Sequence, residues 1–551
     1  MKEKIKQLLV DAGSKSGLTS DLVFDVGYSS DPKFGDYASN IPLVGSKLLK
    51  IKPADLAKKI IENLDQTIFE TVEVAGPGFI NFTLKNEVLI QAIEKPPKPE
   101  INKKEKILLE YFQPNIAKPL HMGHLRTAII GDVLKRMFLY LGYKVESDTH
   151  MGDWGTQFGY LILAYKKYGE VNDKLYAQLN SEAENDKSIH EQAKQEFVKL
   201  EKHDTENRKI WQNLVDESKK QFLQINETLD ILPFDHHWPE SFYEDKMPVV
   251  LQELKKKKLL VESQGAQIVN LSAVGGEDTK NLGIAVIIKS DGGTTYLLRD
   301  LATFIFGKKQ GFAKHLYVVD NRQSHHYKQL FAILKTLVEI KEGEGVHIDY
   351  GFISFKGEVL STRKGNMVLA EDVLAEANKR VAKIIAEKNP DLKNKEKVIH
   401  AVSVGALKYF DLSRNRHSDI EFDWDKVLDF EGDSGPYLQY AYARLSSILR
   451  KAGLDGKFTD VAISATEREV LFKSSILAEV VQESLKDYLP NILANYLFNF
   501  ATLLNKFYHE SPVTQEKDEK VKDFRLALIS SAKNVLGQGL KLLGIEPLDE
   551  M

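Results

Sequence analysis

The chain has 551 residues, 43% of them hydrophobic and 28% charged, with 75 Lys and Arg against 79 Asp and Glu for a formal net charge of -4. That length predicts roughly three or four domains of globular, soluble balance, and the near-neutral charge excludes a global basic field, so any nucleic-acid surface must be a local patch. The absence of cysteine excludes disulfides, thiolate zinc sites and cysteine nucleophiles together and fits a cytoplasmic setting.

Residues 1–93 read as a small α+β unit. The opening MKEKIKQLLVDAG is an amphipathic helix pattern without the apolar core or cleavage site of a signal peptide. The unit ends in VEVAGPGFINFTL, alternating β sequence broken by a Gly-Pro-Gly turn. Residues 94–106, rich in Pro and Lys, form a linker. An α/β unit is predicted over 107–365. Its first strand is ILLEYF; after Gly123 the residues Leu125, Ile129, Val133, Met137 and Leu141 recur every four positions, a helical stripe ending near Gly142. YKVESDTHMGDWG then reads as a second strand and a glycine-rich loop, which makes a βαβ unit and hence a parallel, Rossmann-like sheet. Residues 166–254 read as a helical, heavily charged insertion. The β pattern resumes in GIAVIIKSDGGTTYLLRDLATFIF and HLYVVDNRQSHHYKQLFAIL. A helical segment is expected over 366–430 and an all-α C-terminal domain over 431–551. No run approaches the ~18 apolar residues of a membrane span, and no partner membrane is expected.

Two motifs carry chemistry. PNIAKPLHMGHLRTAIIGD places His121, Gly123 and His124 where the first strand hands over to its helix. In open parallel sheets ligands bind at that end, and a helix N-terminus favours phosphate. A metal site, a packed turn and a phosphate site all remain open on this stretch alone, although a metal would need further ligands that do not follow at fixed spacing. The second motif, GEVLSTRKGNMV, holds Ser361, Thr362, Arg363 and Lys364 in a loop suited to closing over a polyphosphate.

In these residues the chain resembles the class I aminoacyl-tRNA synthetases. HMGH matches their His-Ile-Gly-His signature, and VLSTR stands where their Lys-Met-Ser-Lys-Ser loop belongs, with Val359 and Thr362 in place of its two lysines. The stretches MGDWGTQFG, TTYLLRD, EGDSGPYLQYAYARL, FGDYASN, AGPGFINF and the final GIEPLDEM resemble the arginyl branch of that family in order and spacing. The resemblance implies an arginine–tRNA ligase that forms arginyl-adenylate from L-arginine and ATP, with Mg²⁺ accompanying ATP, and then charges the 3′-terminal adenosine of tRNA-Arg, releasing AMP and pyrophosphate. It also implies that tRNA precedes arginine activation and that the protein is a monomer.

By the same resemblance Glu110 and Asp300 read the guanidinium with Tyr296 beside them, and Asn115 and Gln323 hold the amino-acid end. A planar cation with five donors calls for such fixed carboxylates. Lys118, His121, Gly123 and His124 are expected to bind ATP, and Lys364, Arg363 or Lys118 to meet the pyrophosphate. Asn40 and Phe79 are candidates for the tRNA elbow, and Tyr496, Asn505, Phe507 and Tyr508 for unpaired anticodon bases. No structural metal is expected. Two rival readings, a class I synthetase for another amino acid and a silent tRNA-binding paralogue, are opposed by the acidic pocket and the intact first signature.

Overall fold

The computed structural model describes residues 1–96, 105–171, 173–274, 279–355, 368–453 and 455–551. The first unit runs α1 (Lys2–Lys15), β1 (Val26–Tyr28), β2 (Tyr37–Ser39), α2 (Ile41–Leu49), α3 (Pro53–Glu62), β3 (Phe69–Ala75), β4 (Phe79–Leu84) and α4 (Asn86–Glu94). Its antiparallel sheet has the order β1-β2-β4-β3. Strict alternation in FINFTL buries Ile80, Phe82 and Leu84 on one face and leaves Phe79 38% exposed.

The second unit is built on β5 (Lys106–Glu110), α5 (Met122–Leu141) and β6 (Lys144–Asp148). Gly142, at φ 90, ends α5 in the left-handed conformation. Helices α6 (Gln157–Tyr168), α7 (Asp173–Asn185), α8 (Lys187–Glu201), α9 (Thr205–Thr228) and α10 (Met247–Lys256) follow. Next come β7 (Leu260–Ser263), β8 (Ala266–Asn270), α11 (Leu271–Val274) and β9 (Ile284–Ile288), whose strands form an antiparallel sheet. The chain then returns through α12 (Tyr296–Lys309), β10 (Phe312–Asp320), α13 (Ser324–Leu337) and β11 (Gly345–Tyr350).

The β reading of TTYLLRDLATFIF is corrected here: from Tyr296 the run is the helix α12. Its apolar and aromatic residues are good strand formers. However, Leu297, Leu298, Leu301, Ala302 and Phe304 all go into the core at three- and four-residue spacing, which only a helix satisfies.

The central sheet has the order β11-β10-β5-β6, and every pairing in it is parallel. β5 connects through α5 to β6 on one side, whereas β10 connects through α13 to β11 on the other. The winding therefore reverses between β5 and β10, and the crevice outside the carboxyl ends of those strands is where such sheets bind ligands. Register places Glu110 opposite Asp148 on one neighbour and opposite Tyr317 on the other.

The remainder is nearly all helical. β12 (Ile353–Phe355) pairs in parallel with β13 (Ile420–Phe422) around α14 (Ala370–Lys388) and α15 (Lys395–Leu412). Then come α16 (Trp424–Val427), α17 (Gly435–Ala452), α18 (Ala465–Ser475), α19 (Leu477–Lys486), α20 (Pro490–Glu510) and α21 (Glu519–Leu542). Among the described residues no helix is long and apolar enough to cross a membrane.

Helix α5 is buried well beyond its apolar stripe, because α15, α19, α20 and α21 pack on the side away from the sheet. The charged residues caught inside are each paired. Arg126 bonds Asp411 at 3.0 Å and the carbonyls of Gly351, Arg416 and Ser418. Asp132 bonds Arg136 at 2.7 Å and lies 3.9 Å from the Lys408 ammonium, which donates to Gly544 O at 2.7 Å. Lys135 bonds Asp235 at 2.7 Å. The first unit docks on the adjoining helix α18, with Asp36 held by two bonds from Arg468 at 2.9 and 2.8 Å.

Candidate active site

The chain leaves β5 at Glu110 and crosses the carboxyl edge of the sheet before entering α5. That crossing is fixed by pairing with the loop after β6: Ile116 N–H donates to Gly152 O, and Gly152 N–H to Pro114 O, both at 3.0 Å. A Cβ on Gly152 would lie 2.3 Å from Asn115 Oδ1, so this position must be glycine for Asn115 to keep its place.

His121 is the N-cap of α5. Its Nδ1 accepts from Gly123 N–H at 3.1 Å, and His124 Nδ1 accepts from His121 N–H at 3.2 Å. The rings stack with centroids 3.9 Å apart. A ring that accepts at Nδ1 carries its proton on Nε2. Burial, reinforced by Arg322, holds the His121 pKa below its usual range; burial and His121 lower that of His124 to about 3. Both rings are therefore neutral donors rather than cations. The His121 ring lies over Gly123, where an added Cβ would meet its Cε1 at 2.9 Å, so the glycine makes room for the imidazole. Lys118 is exposed nearby, and its charge also depresses His124.

Glu110 and Asp148, at the ends of β5 and β6, are both buried. With His150 they form the one grouping of three His or acidic side chains among the described residues whose donor atoms all lie within 4.8 Å of one another. Glu110 Oε2, Asp148 Oδ2, His150 Nδ1 and the Tyr317 hydroxyl have no hydrogen-bond partner among the described residues. Burial lowers the His150 pKa to about 4, so the imidazole 3.9 Å from Glu110 is neutral and does not compensate it. The Glu110 carboxyl is pushed well up by burial, then by Asp148 and Asp300. Buried acceptors of this kind suit a cation with several donors.

Asp300 sits one turn into α12 and takes a 2.5 Å bond from His326. Tyr296, at the start of the same helix, is 59% exposed and lies under the Arg299 guanidinium, 5.4 Å from the ring centroid. Gln323 is exposed in the short turn Asn321–Gln323 after β10. There Arg322 is locked to Asp320 by bonds of 2.7 and 2.8 Å. The second motif, with Ser361, Thr362, Arg363 and Lys364, lies outside the described residues. The chain is described again from Val368, and there it is bonded to the first motif: Met122 N–H donates to Val368 O at 3.4 Å and Ala370 N–H to Leu120 O at 2.9 Å.

The candidates for tRNA separate by burial. Phe507 is fully buried, and Tyr496 is buried with its hydroxyl bonded to Lys473 O at 2.6 Å. These two are core residues of the helical domain, a correction to their expected display, because α20 is packed on several sides. Tyr508 is 44% exposed. Asn505 accepts from Arg444 and donates to the Tyr437 hydroxyl, each at 2.7 Å. Asn505 thereby lines a cavity of about 610 Å³ with Lys388, Phe430, Tyr437, Tyr440, Arg444 and Met551. Asn40, just before α2, accepts from Asp25 N–H at 2.8 Å.

Sequence reasoning missed Asp148, His150, Tyr317 and His326 in the acidic cavity, and Tyr440 and Arg444 in the helical one. Asp148 and His150 had a signal, since both stand at the carboxyl end of a predicted parallel strand. The others depend on packing between elements far apart in the chain.

Three family models match in succession: the arginyl tRNA synthetase N terminal domain over residues 1–84, the catalytic domain of tRNA synthetases class I (R) over 86–424, and the DALR anticodon binding domain over 438–551. Arginine–tRNA ligases of Streptococcus pyogenes serotype M3 and Streptococcus pneumoniae are each 39% identical over 527 residues, covering 92% of this chain and 92% of theirs. The arginyl-tRNA synthetase of Thermus thermophilus superposes with a TM-score of 0.86 at 25% identity, over 100% of both chains. With the signature histidines capping α5, an acidic cavity at the sheet's switch point and this likeness along its whole length, the chain belongs to the arginyl-tRNA synthetase family.

Proposed function

We propose that the carboxyl edge of the β10–β5–β6 sheet performs the family's reaction with the following division of roles. The chain is an arginine–tRNA ligase: arginine and ATP give arginyl-adenylate and pyrophosphate, and the arginyl group then passes to the 3′-terminal adenosine of tRNA with release of AMP. In the first step the arginine carboxylate attacks the α-phosphorus. A new acyl–phosphate bond forms as the bond to the bridging oxygen breaks, and the electron pair leaves with pyrophosphate. His121 and His124 donate from Nε2 to the α-phosphate oxygens as charge builds there; neutral donors fixed by backbone acceptor bonds need no reorganisation. Lys118 and the 361–365 loop meet the pyrophosphate, with Mg²⁺ entering as part of the ATP complex.

Glu110 and Asp300 take the guanidinium, with Tyr296 over it, while Asn115 and Gln323 hold the α-amino and carboxylate end. The observation that carries this reading is the set of buried acceptors at Glu110 and Asp148 with no internal donor. A guanidinium supplies five donors and one positive charge to that cavity, whereas lysine leaves acceptors unpaired, a mismatch worth about 10⁴-fold or more in sites of this type. The aromatic and tyrosine hydroxyl surroundings favour this organic cation over a metal ion.

Unpaired bases of the tRNA fit the cavity of Tyr437, Tyr440, Arg444, Asn505 and Met551, whose aromatic rings and guanidinium offer stacking surfaces. Tyr508 flanks it, with the Arg444 guanidinium 5.8 Å from its ring centroid. Asn40 and Phe79 reach the tRNA elbow. The protein works as a monomer in the cytoplasm, where tRNA and ATP meet. Pyrophosphate exchange into ATP is the test, run with each amino acid in the presence and absence of tRNA. Exchange dependent on arginine and on tRNA supports the assignment; exchange with another amino acid, or none under any condition, defeats it.

A further inference from the structure

We propose that Glu110 and Asp148 share one proton in the empty cavity and release it when a guanidinium enters, which makes Asp148 a further specificity-determining residue and couples arginine binding to proton release. The inference rests on the arginine reading of Glu110 given above. Geometry carries it. The two residues face each other in register at the ends of adjacent parallel strands. Both are buried, and their donor atoms lie within 4.8 Å of each other. Asp148 Oδ1 is fixed by the Trp238 N–H at 2.8 Å, which leaves Oδ2 to the cluster, unpartnered like Glu110 Oε2.

Two neighbouring buried carboxylates without a cation cannot both ionise. The groups facing them supply none. His150 is neutral; Tyr243 and Tyr317 are pushed well above their usual range by burial and by these same acids. Tyr327, on α13, is likewise buried and raised by Glu110 and Asp300. His326 is raised and is committed to Asp300. Arg299 bonds Glu240 at 3.2 Å and bears on His150, and it is not among the charges that act on Glu110 or Asp148. The Asp148 carboxyl, lifted to about 7 by burial, agrees with a proton held near neutrality. An entering guanidinium supplies the missing charge, both carboxylates ionise, and the shared proton leaves to solvent.

The test uses the full-length protein with its cognate tRNA bound. L-Arginine is titrated calorimetrically at pH 7 in two buffers of different ionisation enthalpy, and the KM for arginine is followed from pH 6 to 8 in the exchange assay. The expected result is release of close to one proton, and a KM that falls with rising pH by up to about tenfold per unit while the empty cavity holds the proton. D148N should release well under the wild-type number and flatten the KM profile, with kcat far less affected than KM. Should D148N not fold, the wild-type profile and proton count decide alone. Arginine-dependent exchange with a pH-independent KM and no proton release overturns the coupling while leaving the arginine assignment standing. Equal release from wild type and D148N overturns the role of Asp148. No arginine-dependent exchange at all removes the assignment and the coupling with it.

Discussion

His121 and His124 each commit Nδ1 to a backbone N–H, so the remaining function of either ring is donation from Nε2. His124→Asn separates the two jobs, because the amide oxygen still accepts from His121 N–H but no donor stands at the Nε2 position. Its kcat in arginine-dependent exchange should fall about 10²–10³-fold with little change in the KM for arginine. Because burial holds both rings neutral, the wild-type kcat should show no inflection near pH 6.5 that disappears in this variant. The histidines were legible because two rings bracketing a glycine at a strand-to-helix junction is a local pattern. Asp148 had a place, at the carboxyl end of a strand, but no partner until the β5–β6 register set it opposite Glu110, and register is a property of two strands together. Phe507 and Tyr508 differ by a single helical step, yet one is core and the other half exposed. Composition along α20 cannot supply that phase when partners pack on several sides.

Among the elements, α5 carries the His121 cap at its N-terminus and an ionic hub at its fifth residue, Arg126. Arg126 joins Asp411 to four carbonyls from 351–418, with the Arg126 and Asp411 side chains both buried. Arg126→Met preserves the length of the side chain but leaves Asp411 buried and unpaired, and should destabilise the protein by about 3–5 kcal/mol in urea unfolding. A loss below about 1 kcal/mol would show that the hub is not what holds α5 against 411–418. The stripe of α5 was readable, but its buried charges were not, since Arg126, Asp132 and Lys135 look like an ordinary solvated face until the second layer of helices is present. In α17, Tyr440 and Arg444 stand one turn apart at the mouth of the helical cavity. Tyr440→Ala removes one stacking surface of about 1–3 kcal/mol, so the KM for tRNA should rise at least about fivefold while tRNA-saturated exchange keeps its rate. An unchanged tRNA KM would place the unpaired bases elsewhere.

For the molecule as a whole, the acidic cavity and its surroundings set how stability varies with pH. Burial raises Asp148 to about 7, Glu244 to about 7 and Glu240 to about 8, above their ordinary 3.8 and 4.5. The folded state therefore binds these protons more tightly than the unfolded chain, and the stability they contribute is lost as pH rises through those values. The buried histidines work in the opposite sense, but only below their ordinary 6.5. Between pH 6.5 and 8 the Tm of the substrate-free protein should thus fall, as calorimetric melting would show; a flat or rising Tm would mean that these carboxyls are ionised when folded. The order of an α+β unit, a parallel-sheet unit and a helical unit was legible from changes in periodicity together with the Pro- and Lys-rich stretch at 94–106. The docking of the parts was not, because contacts such as Asp36 to Arg468 span most of the chain without any local trace.

The enclosure of α5 also bears on autonomy. Cutting the chain after residue 430 would strip α19, α20 and α21 from its outer flank, exposing Phe138, which now packs near Tyr488, and removing the Gly544 carbonyl to which buried Lys408 donates. The catalytic-domain half is consequently no detachable module: it inherits part of its interior from the half that matches the anticodon binding domain.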